Sequence, residues 1–127
     1  MALEQDLSKQ RTVLVVDDDE FSASIYQAIL TDMGFSVRTA ESGEQALKTF
    51  DPKDVRLVVV DSRLPGMSGA EFVRELRTRA ASVPVLGLSG FAPGAACNAD
   101  FEAAVTEYQS KTDNLDDLEA VFRRYAV

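Results

Sequence analysis

VLVVDDDE, residues 13–20, runs four apolar residues straight into four acids. The apolar part belongs to the β-branched run TVLVV (12–16). It shows no polar alternation, so it reads as a strand buried on both faces. Crowded carboxylates repel one another and become harder to ionise. A buried strand that ends in such a cluster needs a compensating partner, and a cation or a helix N-terminus supplies one.

Working outward, Phe21, Ile25, Ala28 and Ile29 fall at i, i+4, i+7 and i+8, which predicts one apolar helix face ending near Gly34. FSVRTA (35–40) reads as a shorter, more polar strand at an edge. Ser42 stands three residues before Gln45 in a capping-box spacing, ahead of Ala46, Leu47 and Phe50, and Asp51-Pro52 closes that helix. VRLVVVD (55–61) is a second long buried run, and it too ends in an acid. In SRLPGMSG (62–69), Pro65 and the glycines predict a sharp turn. Ser68 and Glu71 predict a capping box, and Phe72, Val73 and Leu76 the stripe of the next helix. VPVLGLS (83–89) reads as a fourth strand. The alanine-rich stretch 90–105, with Pro93 and Gly94, predicts one short or irregular helix. TEYQSK (106–111) reads as a fifth strand. Leu115, Leu118, Phe122 and Tyr125 predict a final helix capped by Asp113 or Asn114.

Strand and helix thus alternate five times with short connections, which predicts one α/β domain with a parallel sheet. A length of 127 residues suits one hydrophobic core. No window is apolar for long enough to cross a bilayer, and the opening MALEQDLSKQR lacks the apolar region of a secretory signal. It reads as a polar lead-in. The one cysteine, Cys97, cannot pair within the chain, and it fits a packing or loop role in a reducing, cytoplasmic setting. Histidine is absent, which excludes Ser-His-Asp and Cys-His catalysis and imidazole zinc sites. A net charge of −8 argues against direct nucleic-acid binding and favours a divalent cation. Arg74, Arg77 and Arg79 read as a solvated face.

In an open parallel sheet, ligands bind beyond the carboxyl ends of the strands, where strand order reverses. The strand ends carry Asp17, Asp18 and Asp19, then Asp61, Ser89 and Lys111. Each has a bland reading: Asp18 or Asp19 as a helix cap, Asp61 in a turn, Ser89 at a helix start, Lys111 as a solvated charge. Their joint placement points instead to phosphoryl chemistry. Mg2+ takes carboxylate, water and phosphate oxygens. A carboxylate can attack phosphorus, lysine pairs with phosphate as a point charge, and a hydroxyl donates to a phosphoryl oxygen.

These pieces, VLVVDDD, VVVDSRLPGMSG, PVLGLS and YQSK with their spacing, resemble the receiver domain of two-component response regulators. The match runs from about Arg11 to the last helix, leaving 1–10 as lead-in and 11–127 as the domain. The resemblance implies a doubly wound, flavodoxin-like sheet of order 2-1-3-4-5. It implies Asp61 as phosphoacceptor, with Mg2+ (or Mn2+ as a substitute) held by Asp17, Asp18, Asp61 and the backbone carbonyl of Arg63. Ser89 corresponds to the switch hydroxyl, Lys111 to the phosphate-pairing lysine, and Tyr108 to the aromatic that turns inward on activation. Asp19 has no family role and is left as a cap. Four positions depart from the usual pattern: Thr112 replaces a proline that follows the lysine in a cis peptide, Ala104 a glycine, Ser68 an acid, and Arg63 is large and charged where phosphate lifetime is tuned.

The implied function is a switch phosphorylated by a histidine kinase or histidine phosphotransfer protein. Its output is expected through strands 4 and 5 and the last helix toward a protein target, without membrane insertion and without an external substrate. Two alternatives compete. One is a receiver-like binding module that does not cycle phosphate. The other is a Mg2+-dependent aspartyl phosphatase; such enzymes place a second acid two residues after the nucleophile, where this chain has Arg63, and they need a cap domain.

Overall fold

Five parallel strands carry the molecule, and the computed structural model describes residues 11–111 and 114–125. The lead-in 1–10, Thr112 and Asp113 lie outside the described residues. β1 (Thr12–Val16), β2 (Ser36–Ala40), β3 (Val55–Asp61), β4 (Val85–Ser89) and β5 (Glu107–Ser110) alternate with five helices. These are α1 (Glu20–Asp32), α2 (Gly43–Thr49), α3 (Gly69–Arg79), α4 (Ala99–Ala104) and α5 (Leu115–Arg124). A 3₁₀ turn, Ala96–Asn98, leads into α4, so the alanine-rich stretch is short and irregular as its sequence predicts. The strand order is β2-β1-β3-β4-β5, the doubly wound flavodoxin-like order.

The continuous apolar strands follow from burial on both faces. Leu14, Val16, Val58 and Val60 pack with Phe72, Val73, Leu76 and Phe101 beneath α2, α3 and α4. Their neighbours Val13, Val15, Leu57 and Val59 point the other way, against Ala23, Tyr26, Leu30, Leu118, Val121 and Phe122 of α1 and α5. Alternate residues of a strand face opposite sides, so both sets must be apolar. β2 has one neighbour and is mostly exposed, as its polar sequence suggests.

Two helix faces differ from expectation. In α1 the buried residues are Ala23, Tyr26 and Leu30, while Phe21 is 74% exposed. Asp19 caps the helix, and that start rotates Phe21 outward and seats the Tyr26 ring against the sheet. In α5, Leu118, Val121 and Phe122 are buried and Leu115 is 54% exposed, because Asn114 is the cap and Leu115 opens the first turn. The arginines of α3 also depart from a uniformly solvated face. Arg74 is exposed, but Arg77 donates to the Val83 carbonyl and to Thr106 Oγ1, and Arg79 donates to the Leu47 carbonyl at 2.8 Å.

The caps are sequence-local. Ser68 and Glu71 form the reciprocal capping box of α3. Ser42 caps α2, but the Gln45 side chain reaches the Glu41 N–H at 2.7 Å, one residue beyond the cap itself. Gly34 takes a φ of +95° after α1, a left-handed conformation that a side chain would strain. Gly87, in the middle of β4, does a different job. A Cβ there would lie 2.7 Å from the Phe101 ring and 2.8 Å from Val105, so its absence lets α4 settle close to the sheet.

Candidate functional site

β1 and β3 are adjacent at the point where strand order reverses, with Val16 in register with Val60. The next residue on each strand is therefore a carboxylate at the same edge, Asp17 beside Asp61. Asp17 is buried, and its backbone N–H donates to the Ala40 carbonyl at 3.0 Å. Its Oδ1 accepts the Asp19 N–H at 2.9 Å, which shapes the turn into α1. Asp18 is exposed. Carboxylate oxygens of Asp17, Asp18 and Asp61 all lie within 4.8 Å of one another. Asp19 stands apart from this group and accepts from the Phe21 N–H at 3.2 Å and Ser22 Oγ at 2.8 Å. Those two bonds hold its carboxyl below the ordinary carboxylate value. Its reading as a cap holds.

Lys111 follows β5 and answers the acids. Its Nζ lies 3.0 Å from Asp17 Oδ2 and 3.4 Å from Asp61 Oδ2. Burial pushes the Asp61 carboxyl up; Lys111 opposes this, while the Asp17 charge adds to it, and the net direction is upward. The Arg63 backbone N–H also bonds the Asp61 carboxylate. Burial alone would lower Lys111, but the bond to Asp17 and the charges of Asp61 and Asp17 outweigh it and raise the ammonium above its ordinary value. Lys111 thus answers two of the three clustered carboxylates, which leaves an excess of negative oxygen suited to a small hard cation.

Ser89, at the end of β4, is fully buried. Its Oγ accepts from Ser62 Oγ at 2.9 Å and from the Phe91 N–H at 3.2 Å, and its carbonyl accepts the Lys111 N–H at 2.7 Å. A cavity of about 300 Å³ is lined by Asp61, Ser62, Arg63, Gly90, Phe91 and Lys111. Ser89 and Tyr108 are not among its walls. Tyr108 lies behind it, half-buried, with its hydroxyl donating to the Phe91 carbonyl at 2.6 Å and its ring edge-on to Phe101. The Arg63 side chain sits 5.0 Å above the Phe91 ring, a cation–π contact over one wall of the cavity.

The seven site residues expected from the sequence lie at one edge: Asp61, Arg63 and Lys111 line the cavity, Asp17 and Asp18 lie against Asp61, and Ser89 and Tyr108 stand outside its walls. Sequence reasoning missed Ser62, Phe91 and Asn98. Ser62 and Phe91 neighbour predicted site residues, but only the fold shows that they bond or face them. Asn98 donates to the Tyr108 hydroxyl from the middle of an alanine-rich turn, where no spacing marks it.

Fold and site together define a class, a doubly wound domain with an acidic pocket at its switch point and a lysine across it. The sequence matches the model of the response regulator receiver domain over residues 13–123, and the chain belongs to that family. It is 32% identical over 111 residues to the transcriptional regulatory protein ZraR of Klebsiella oxytoca, covering 87% of this chain and 25% of that protein. It is 30% identical over 116 residues to the cell cycle transcriptional regulator CtrA of Caulobacter vibrioides, covering 88% of this chain and 50% of that one. The chain thus spans a quarter to a half of these relatives' lengths. Among solved structures, response regulator protein TrrA of Thermotoga maritima, in complex with Mg2+ and BeF, superposes with a TM-score of 0.79. The identity is 29%, with 91% of this chain and 99% of that one covered. The chemotaxis protein CheY4 of Vibrio cholerae gives a TM-score of 0.80 at 26% identity, covering 91% and 98%. No helix among the described residues is long and apolar enough to cross a membrane.

Proposed function

We propose that this receiver domain, residues 11–127, is a phosphorylation switch whose acceptor is Asp61. The observation that carries the reading is the meeting of Asp17, Asp18 and Asp61 within 4.8 Å, with Lys111 bridging two of them. Asp17, Asp18, Asp61 and the Arg63 carbonyl would hold Mg2+, which when bound neutralises carboxylate and phosphoryl charge. TrrA, solved with Mg2+ and a beryllium fluoride, lends this assignment support by similarity.

The donor in this reading is the phosphohistidine of a kinase or phosphotransfer protein, a group that lies outside this histidine-free sequence. An Asp61 oxygen forms the new O–P bond while the donor's P–N bond breaks and its electron pair returns to the imidazole. Lys111 exchanges part of its contact with Asp61 for a phosphoryl oxygen. Ser89, just behind the pocket and hydrogen-bonded to the Ser62 hydroxyl and the Phe91 N–H, would turn its own hydroxyl proton forward to donate to another. Ser89 and Tyr108 share Phe91 as a partner, and this supports a path from the pocket to the surface around β4, β5 and α5 for a protein target. Water later hydrolyses the acyl phosphate, so the chain acts on itself and on no separate substrate. Arg63, stacked on Phe91, supplies no general acid of the kind a phosphatase needs at that place.

Incubation with acetyl phosphate, with and without Mg2+, followed by intact mass tests the reading. One phosphoryl group is expected on the wild type with Mg2+ and none on Asp61→Asn. If the wild type gains no phosphate and fails to bind beryllofluoride, the binding-module alternative takes its place.

A further inference from the structure

The Asn98 amide does something its position does not explain. Asn98 precedes α4 as its N-cap residue, a place where asparagine normally bonds the first helical N–H groups. Its side chain makes no such bond. Instead the residue is 7% exposed and Nδ2 reaches the Tyr108 hydroxyl at 2.8 Å. The orientation of the amide follows from proton counting. A tyrosine hydroxyl has one proton, and here it goes to the Phe91 carbonyl at 2.6 Å. The second partner of that oxygen must be a donor, so Asn98 presents its NH2 group.

We infer that Asn98 is a positioning residue that latches the switch tyrosine inward, biasing the domain toward the phosphoryl-binding arrangement. The inference rests on Tyr108 acting as the switch aromatic. Inward, the Tyr108 hydroxyl holds two protein hydrogen bonds, and the ring packs against Phe101. Phe91, which accepts the tyrosine proton, also donates its N–H to Ser89 Oγ at 3.2 Å. Asn98, Tyr108, Phe91 and Ser89 are therefore linked end to end, from the turn before α4 to the hydroxyl behind the pocket. Without the amide, a part-buried hydroxyl oxygen loses a donor and the outward rotamer, solvated by water, gains population. A ligand that favours the inward state then binds more weakly by the change in that population.

The test is beryllofluoride titration in Mg2+ buffer on wild type, Asn98→Ala, Tyr108→Phe and the double variant. Protein labelled with 3-fluorotyrosine adds a ¹⁹F readout, with the Tyr108 resonance assigned through Tyr108→Phe. Asn98→Ala is expected to weaken beryllofluoride binding about three- to ten-fold and to move the Tyr108 resonance toward its solvent-exposed position. In the Tyr108→Phe background the same substitution should change affinity by about two-fold or less, because the latch has nothing left to hold. Should Asn98→Ala melt too low to study, Asn98→Ser keeps a capping residue while being too short to reach Tyr108. An equal loss in both backgrounds, or an unmoved Tyr108 resonance with unchanged affinity, overturns the latch and leaves the phosphoacceptor assignment standing. A wild type that binds no beryllofluoride overturns that assignment and the latch with it.

Discussion

The acidic pocket and the segment between β4 and β5 meet at Ser89 and Lys111, yet different forces hold them. The pocket stands on the ends of the two central strands, and its members are charged: three carboxylates against one ammonium. The β4–β5 segment hangs on a 3₁₀ turn and a six-residue helix, and the groups that tie it to Tyr108, the Asn98 amide and the Phe91 carbonyl, are neutral and linked by single hydrogen bonds. Charges at short range in a partly dry site interact strongly, whereas one neutral hydrogen bond contributes about 1 kcal/mol. The pocket is therefore built for chemistry, where large effects are needed. Within the segment Phe101 is anchored in the core, while the Asn98–Tyr108–Phe91 links are single neutral hydrogen bonds that a small free energy can exchange.

Charge removal from the pocket should produce the largest effect. Lys111→Met takes away the cation that faces Asp17 and Asp61, and phosphorylation by acetyl phosphate should slow by about 10²-fold. Initial rates from intact mass measure this, and a rate close to wild type would place the pocket's electrostatics elsewhere. The segment should respond to packing instead. Gly87→Ala drives a methyl into the Phe101 ring and Val105, and it should destabilise the domain by about 1–3 kcal/mol in urea unfolding. Unchanged stability would mean that α4 shifts freely.

The smallest and most diagnostic effect has the opposite sign. Asp61 has its carboxyl above the ordinary value, chiefly through burial. A raised carboxylate supports the fold fully below its unfolded value of about pH 4. That support is lost as pH rises through the folded value, so at neutral pH the ionised group is a cost. Asp61→Asn should then melt higher than wild type in metal-free buffer at pH 7, with the gap closing toward pH 4. Added Mg2+ should raise the wild type more than the variant. A variant that melts lower would show that Asp61 stabilises the fold, contrary to its crowding against Asp17.

The pocket was readable in the sequence because its residues sit at the ends of long apolar runs. TVLVV and VRLVVVD announce the strands, and parallel pairing gathers the residues at their carboxyl ends. Caps were readable as well, since Ser42, Ser68 and Asn114 act within three residues of themselves. Faces of amphipathic helices were less so. Phe21 and Leu115 satisfy a helical period but lie in the first turn after a cap, where the sheet does not reach. The relay through Asn98 was not readable at all. Its partners lie ten residues or more apart across a loop, and a buried amide in an alanine-rich stretch looks like any turn residue.

The proposed switch has Asp61 as the atom-level destination of the phosphoryl group, and borohydride trapping addresses that directly. The protein is phosphorylated with acetyl phosphate and Mg2+ and then reduced, which converts an aspartyl phosphate to homoserine. Peptide mass spectrometry then locates the change. Homoserine at position 61 is the predicted result. Homoserine at Asp17 or Asp18, or phosphate that survives reduction on a serine or threonine, would contradict it.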